Sequence, residues 1–142
     1  MGQFVAFADK LDTVCGLIAV GQAPTGSSDP FALRRSAIGI IGMLDAGLPV
    51  SLLPAIDCAL DALMADGISF NRTTAREAIS DFFIARTKVI LRDEGLPIDA
   101  VNAVLAAGVT EPALIAARTR ALAAARASSP ETMTDLATAF AR

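Results

Sequence analysis

Apolar residues recur every three or four positions along almost the whole chain, and Gly or Pro closes each run. That spacing puts them on one side of a helix. Nowhere do Val, Ile, Thr or aromatic residues alternate at period two over a strand-length window. The reading is therefore all-α, with about seven helices in an antiparallel or orthogonal bundle and room for two small lobes. Phe4, Phe7, Leu11, Val14 and Ile18 mark a first helix over residues 3–20, which Gly21 ends. Pro24 to Ser28 forms a loop. Asp29 then serves as an N-cap with Pro30 at the first helical position, and this helix runs to about Ala46. Ser51 caps a third helix to Ala65. Thr74 and Glu77 make a capping box ahead of Ile79, Phe82, Phe83, Val89 and Ile90, with Gly95 as the stop. Pro97 restarts a short helix, Thr110 and Pro112 open another, and Ser129 with Pro130 opens the last. The chain begins and stops inside helical patterns, which reads as a segment of a longer polypeptide.

Mean hydropathy is high for a chain of 142 residues, so a membrane span has to be tested. A spanning helix needs about 20 consecutive apolar residues. The longest charge-free stretch, Thr13 to Ser28, dissolves into Gly21-Gln22-Ala23-Pro24. There is also no basic leader followed by an apolar run. The expectation is a cytoplasmic chain without membrane contact. The net charge of −3 gives no bulk attraction for nucleic acid, so any RNA contact must come from local Arg and Lys. The sequence contains no histidine, which excludes a Ser–His–Asp or Cys–His arrangement and a His-ligated metal within this chain. No residue is assigned a catalytic role. Cys15 and Cys58 both lie in apolar helical patterns and are expected as buried free thiols.

Residues 8 to 35 contain Ala8-Asp9-Lys10-Leu11-Asp12-Thr13, then Pro24-Thr25-Gly26-Ser27-Ser28-Asp29-Pro30-Phe31-Ala32-Leu33-Arg34-Arg35. This string resembles the β subunit of the bacterial two-subunit glycine–tRNA ligase family. Phe82-Phe83-Ile84-Ala85-Arg86 followed by Leu91-Arg92-Asp93-Glu94-Gly95, and Asp99 to Ala106, are similar to the same family in the same order. Leu136 to Arg142 resembles the opening of its anticodon-binding helices. Gly42 departs from the pattern, which has a basic residue there. The resemblance implies a heterotetramer of two α and two β subunits that charges tRNA(Gly) with glycine. The α subunit binds glycine and ATP, and the β subunit contributes tRNA binding. ATP and Mg²⁺ would then belong to the assembly, with no cofactor in this chain and no DNA partner. It also implies a division into residues 1–70 as the C-terminal part of an HD-like helical domain, 71–127 as a helical body, and 128–142 as the truncated start of an anticodon-binding domain.

Ala8 to Asp12 also looks like the last motif of HD-type metal phosphohydrolases, which makes Asp9 a weak metal candidate and a phosphohydrolase remnant the alternative function. A metal would need further N and O ligands converging on it. Otherwise Asp9 belongs to a solvated helix face. The sharper candidate is the loop and helix start from Pro24 to Arg35. Helix N-terminal N–H groups, the Thr25 and Ser27 hydroxyls and the guanidinium groups of Arg34 and Arg35 suit RNA phosphates or an intersubunit contact. Adjacent arginines point about 100° apart on a helix, so at most one of them is expected to face a given ligand, and one can instead be paired internally. Arg72, Arg76 and Arg86 form a second tier, and Arg118, Arg120 and Arg126 read as ordinary solvated positions. No aromatic residues interleave with these arginines, so a base-stacking platform is not supported. A third reading is a noncatalytic helical adaptor without RNA affinity.

Overall fold

A computed structural model describes residues 1–140, with Phe140 by its backbone alone; Ala141 and Arg142, the end of the Leu136–Arg142 stretch, lie outside the described residues. Seven helices follow one another: α1 Gly2–Ala19, α2 Leu33–Asp45, α3 Leu52–Ala65, α4 Arg72–Asp93, α5 Ile98–Ala106, α6 Pro112–Ser128 and α7 Pro130–Phe140. The described residues contain no strand, only an isolated bridge between Thr25 and Ser28.

The helix ends follow the punctuation. Gly21, Gly47, Gly67, Gly95 and Gly108 all hold positive φ just past a helix, a conformation that costs glycine no Cβ clash. The starts differ more. α2 begins at Leu33, not Pro30, because Ala32 takes a left-handed conformation (φ 53°) and breaks the helical path there. Asp29 still caps: its carboxylate accepts from the Leu33 and Arg34 backbone N–H groups at 2.8 and 3.0 Å. α4 begins at Arg72, and the Asn71 side chain accepts from Thr74 N–H at 2.9 Å. Thr74 is thus inside the helix, and the expected capping box does not form.

Two apolar cores result. The larger collects Val14 and Cys15 of α1, Ile40 and Ile41 of α2, Ile56 and Leu60 of α3, and Ile79 and Phe83 of α4. The smaller gathers Leu91, Val101, Val104 and Ile115 from the end of α4, α5 and α6. α4 therefore runs through both. Phe83 is buried at 1% exposure with Phe82 edge-on to it, so this pair is core. α3 and α4 are antiparallel, since Arg72 reaches Asp61 and Arg76 reaches Asp57. α1 and α3 run in the same direction, with Gly16 against Leu63 and Phe7 and Leu11 beside Ala55 and Ala59. One expectation about burial fails, that for Cys58. Phe4 is about half exposed at the free end of α1, and Cys58 is on the outer side of α3 while Cys15 is fully buried. No helix of the described residues is long and apolar enough to cross a membrane.

Candidate functional site

The segment from Pro24 to Arg35 is tied to itself at three points. Thr25 and Ser28 exchange backbone hydrogen bonds at 3.2 and 2.8 Å, which closes a tight turn around Gly26 and Ser27. Arg34 Nη2 donates to the Gly26 carbonyl at 2.7 Å and folds this turn back onto α2. Asp29 occupies the α2 N-terminus from the other side. A free phosphate site at those N–H groups is therefore not available, because a carboxylate already takes the donors and the favourable end of the helix dipole. Thr25 and Ser27 stay exposed on the turn.

The two arginines separate as helix geometry requires. Arg34 is half-buried and spends its guanidinium on the loop. Arg35 is exposed and makes no ion pair or side-chain hydrogen bond among the described residues. It is the group on this segment free to meet an anion. Phe31 lies exposed four residues earlier, an aromatic neighbour that the sequence pattern did not single out.

The second tier proves mostly internal. Arg76 donates from Nε and Nη2 to the two carboxylate oxygens of Asp57 at 2.7 and 3.1 Å. Arg72 donates to Asp61 at 2.6 Å and also approaches Asp57 at 3.3 Å. The hydrogen bond from Arg76 chiefly holds the Asp57 carboxyl below the usual carboxylate range. These two arginines lock α4 against α3. Arg86 is half-buried on α4, and its Nε is enclosed without a partner among the described residues. The residues named in advance are thus not brought together: Arg34 and Arg35 stand at the start of α2, Arg72 and Arg76 on the α3 side of α4, and Arg86 further along that helix.

Ion pairs that the sequence reading did not anticipate hold the other end of the molecule. Arg120 on α6 reaches both Asp45, at the end of α2, and Glu94, just past α4, with contacts of 2.8 and 2.9 Å. Arg126 pairs with Asp99 of α5. Arg120 and Arg126 are therefore paired, not freely solvated. Glu111 accepts from the Leu52 and Leu53 N–H groups at 2.8 and 3.1 Å, and so caps α3 in place of Ser51, whose side chain makes no cap bond. The only sequence signal for these pairings was an acid or base near a helix end.

Asp9 is exposed on α1 with Asp12 one turn along. Among the described residues no three His, Cys, Asp or Glu side chains gather closely enough to hold a metal ion. Cys15, unlike an activated thiol, is pushed up to about 12 by burial and then by the Asp12 charge.

Residues 1–106 match the family model described as glycyl-tRNA synthetase beta subunit. The chain is 47% identical over 123 residues to the glycine–tRNA ligase beta subunit of Acidithiobacillus ferrooxidans, covering 86% of this chain and 18% of the relative. It is 43% identical over 143 residues to that of Geobacter metallireducens, covering 100% and 20%, and 42% identical over 127 residues to that of Syntrophotalea carbinolica, covering 89% and 18%. The chain thus spans about a fifth of the length of the curated relatives it matches.

Proposed function

The chain belongs to the glycyl-tRNA synthetase beta subunit family, and on that premise we propose that it is a noncatalytic helical part of a glycine–tRNA ligase that contributes a tRNA contact through Arg35. The observation that supports this most directly is the pinned segment from Thr25 to Arg35. It fixes the start of α2 while leaving the Arg35 guanidinium exposed and unpaired among the described residues. A guanidinium held on a rigid helix start can engage a phosphate with little ordering cost. Arg34 acts by holding the loop, with Thr25 and Ser27 presented beside it. Arg72 and Arg76 serve the α3–α4 junction instead, since their carboxylate partners already satisfy them.

The parent assembly is read as a cytoplasmic pairing of α and β subunits acting on tRNA(Gly), with ATP and Mg²⁺ as its ligands. In this reading neither ligand is placed on this chain. The N-termini of α2, α3 and α4 are filled by Asp29, Glu111 and Asn71, and among the described residues no acidic cluster of metal-binding size forms. No step of the charging chemistry is therefore assigned to this chain.

Titration of the chain with a fluorescent tRNA(Gly) transcript at several salt concentrations tests the reading. Each phosphate contact contributes a slope of about 0.7 to 0.9 in log K against log salt. Arg35→Glu is expected to remove at least one contact from that slope, whereas Arg76→Gln changes stability and leaves the slope alone. Absence of salt-dependent binding in the wild-type chain would sink the RNA contact. Arg35 at the α-subunit interface would then be the better reading, scored by co-purification with that subunit.

A further inference from the structure

We propose, resting on the tRNA contact read for Arg35, that Lys10 of α1 is a second phosphate-contacting residue. Lys10 and Arg35 together form a strip along α2 that takes the RNA backbone without choosing among tRNAs. Nothing in the sequence links these two residues; the packing of α1 on α2 does. Lys10 is half-buried, and its stem crosses α2 at Gly39, where a methyl group built on the glycine would stand 3.5 Å from both Cδ and Cε. The missing side chain at Gly39 leaves the bed in which this stem lies, and a lysine held by its stem keeps its charged tip in water. Gly39 comes four residues after Arg35 and so shares its face of the helix, about 6 Å further along the axis.

Neither cation makes an ion pair among the described residues, unlike Arg72, Arg76, Arg120 and Arg126. The acids nearest Lys10 in sequence are directed elsewhere, since Asp9 and Asp12 line the cleft between α1 and α3. On the α2 side, Asp29 is spent on the first N–H groups and Asp45 on Arg120. The surface of the strip is also low. Gly39 carries no side chain, and Gly42 is exposed with open space where a Cβ would stand. A rail of sugar and phosphate can therefore approach the helix closely. Two charges over bare backbone hold phosphate oxygens and offer little to a base edge, so the strip supplies affinity and register, not identity.

Lys10 and Lys88 are the only lysines in the chain, so an amine footprint carries its own control. Acetylation by an N-hydroxysuccinimide ester, followed by mass spectrometry, is expected to be slowed by bound tRNA at Lys10 and not at Lys88 on α4. In parallel, the salt slope is measured for tRNA(Gly) and for a noncognate tRNA in Lys10→Gln, Arg35→Gln and the double variant. Each single change should lower the slope by about 0.7 to 0.9 and the double by about twice that, equally for both RNAs. Lys10→Arg should restore the wild-type slope, because the charge is what the phosphate meets. A Lys10→Gln slope equal to wild type, with that of Arg35→Gln lowered, would overturn the role of Lys10 and leave the Arg35 contact standing. A loss confined to tRNA(Gly) would overturn the claim that the strip does not choose among tRNAs. Lys10 already unreactive in the assembled α–β enzyme before RNA is added would also overturn the proposal, since protein would then cover the strip. Absence of salt-dependent binding in the wild type would remove the Arg35 contact itself and the strip with it.

Discussion

Glu111 stands at the N-cap position of α6, yet its carboxylate serves α3, 59 residues earlier in the chain. Two backbone N–H groups of α3 would otherwise end without an intrahelical acceptor, and a carboxylate there also meets the positive end of the helix. Removal of such a cap costs about 1–2 kcal/mol. Glu111→Ala should therefore lower the stability measured by urea unfolding by that amount, and Ser51→Ala should leave it unchanged. The opposite ranking would return the cap to Ser51. The same kind of local competition explains the start of α2. Ala32 takes the left-handed conformation, and Asp29 reaches past it to the Leu33 and Arg34 N–H groups. The sequence pattern pointed to Asp29 as the capping group; it could not show that the cap would be made from outside the first turn.

Arg120 joins three helices, since one guanidinium holds Asp45 at the end of α2 and Glu94 beyond α4 from a position on α6. The hydrogen bond from Arg120 is the main reason that the Asp45 carboxyl lies below its ordinary value; the Arg120 charge adds to this and partial burial opposes it. A carboxyl whose folded value is depressed contributes stability above its unfolded value, and that contribution is lost as pH falls through the folded one. Stability should hold near neutrality and decline once pH drops below about 4, the ordinary carboxylate range. Arg120→Gln should be less stable than wild type at pH 7, with the gap narrowing as pH falls through that range. Urea midpoints measured across the acid limb decide this, and a gap that stays constant with pH would exclude the pairing as its cause. Asp57, depressed chiefly by its hydrogen bond from Arg76, adds to the same limb from the α3–α4 side.

The molecule as a whole is organised around α4, which supplies Ile79 and Phe83 to the larger core and Leu91 to the smaller. A helix shared in this way couples the two cores, because fraying its second half exposes apolar surface in one and loosens the other. α7 is different. Ser129 breaks the helical path after α6, and the residues from Thr134 to Ala139 are exposed. α7 packs chiefly on α6, beside Leu122 and Arg126. Amide hydrogen exchange should therefore be fastest in α7 and slowest in the buried turns of α1 and α4. Protection of α7 equal to that of α4 would contradict this order.

Much of this was legible in the sequence because it depends on neighbours a few residues away. The 3.6-residue recurrence of apolar positions specified helices, and the Gly and Pro breaks specified seven of them, since a backbone turn with positive φ is a local requirement. The stripe Phe7, Leu11, Val14, Ile18 became core for the same reason, and the string from Ala8 to Arg35 revealed the family. Tertiary structure decided what depends on packing. Cys58 has an apolar neighbourhood in sequence, yet it lies on the outward side of α3 because Ile56 and Leu60 turn that helix to the core. Arg120 meets Asp45 across 75 residues, and Arg76 meets Asp57 across 19. Periodicity marks which face of a helix is buried but not which helix it meets, so the sequence alone could not separate structural arginines from an exposed one such as Arg35.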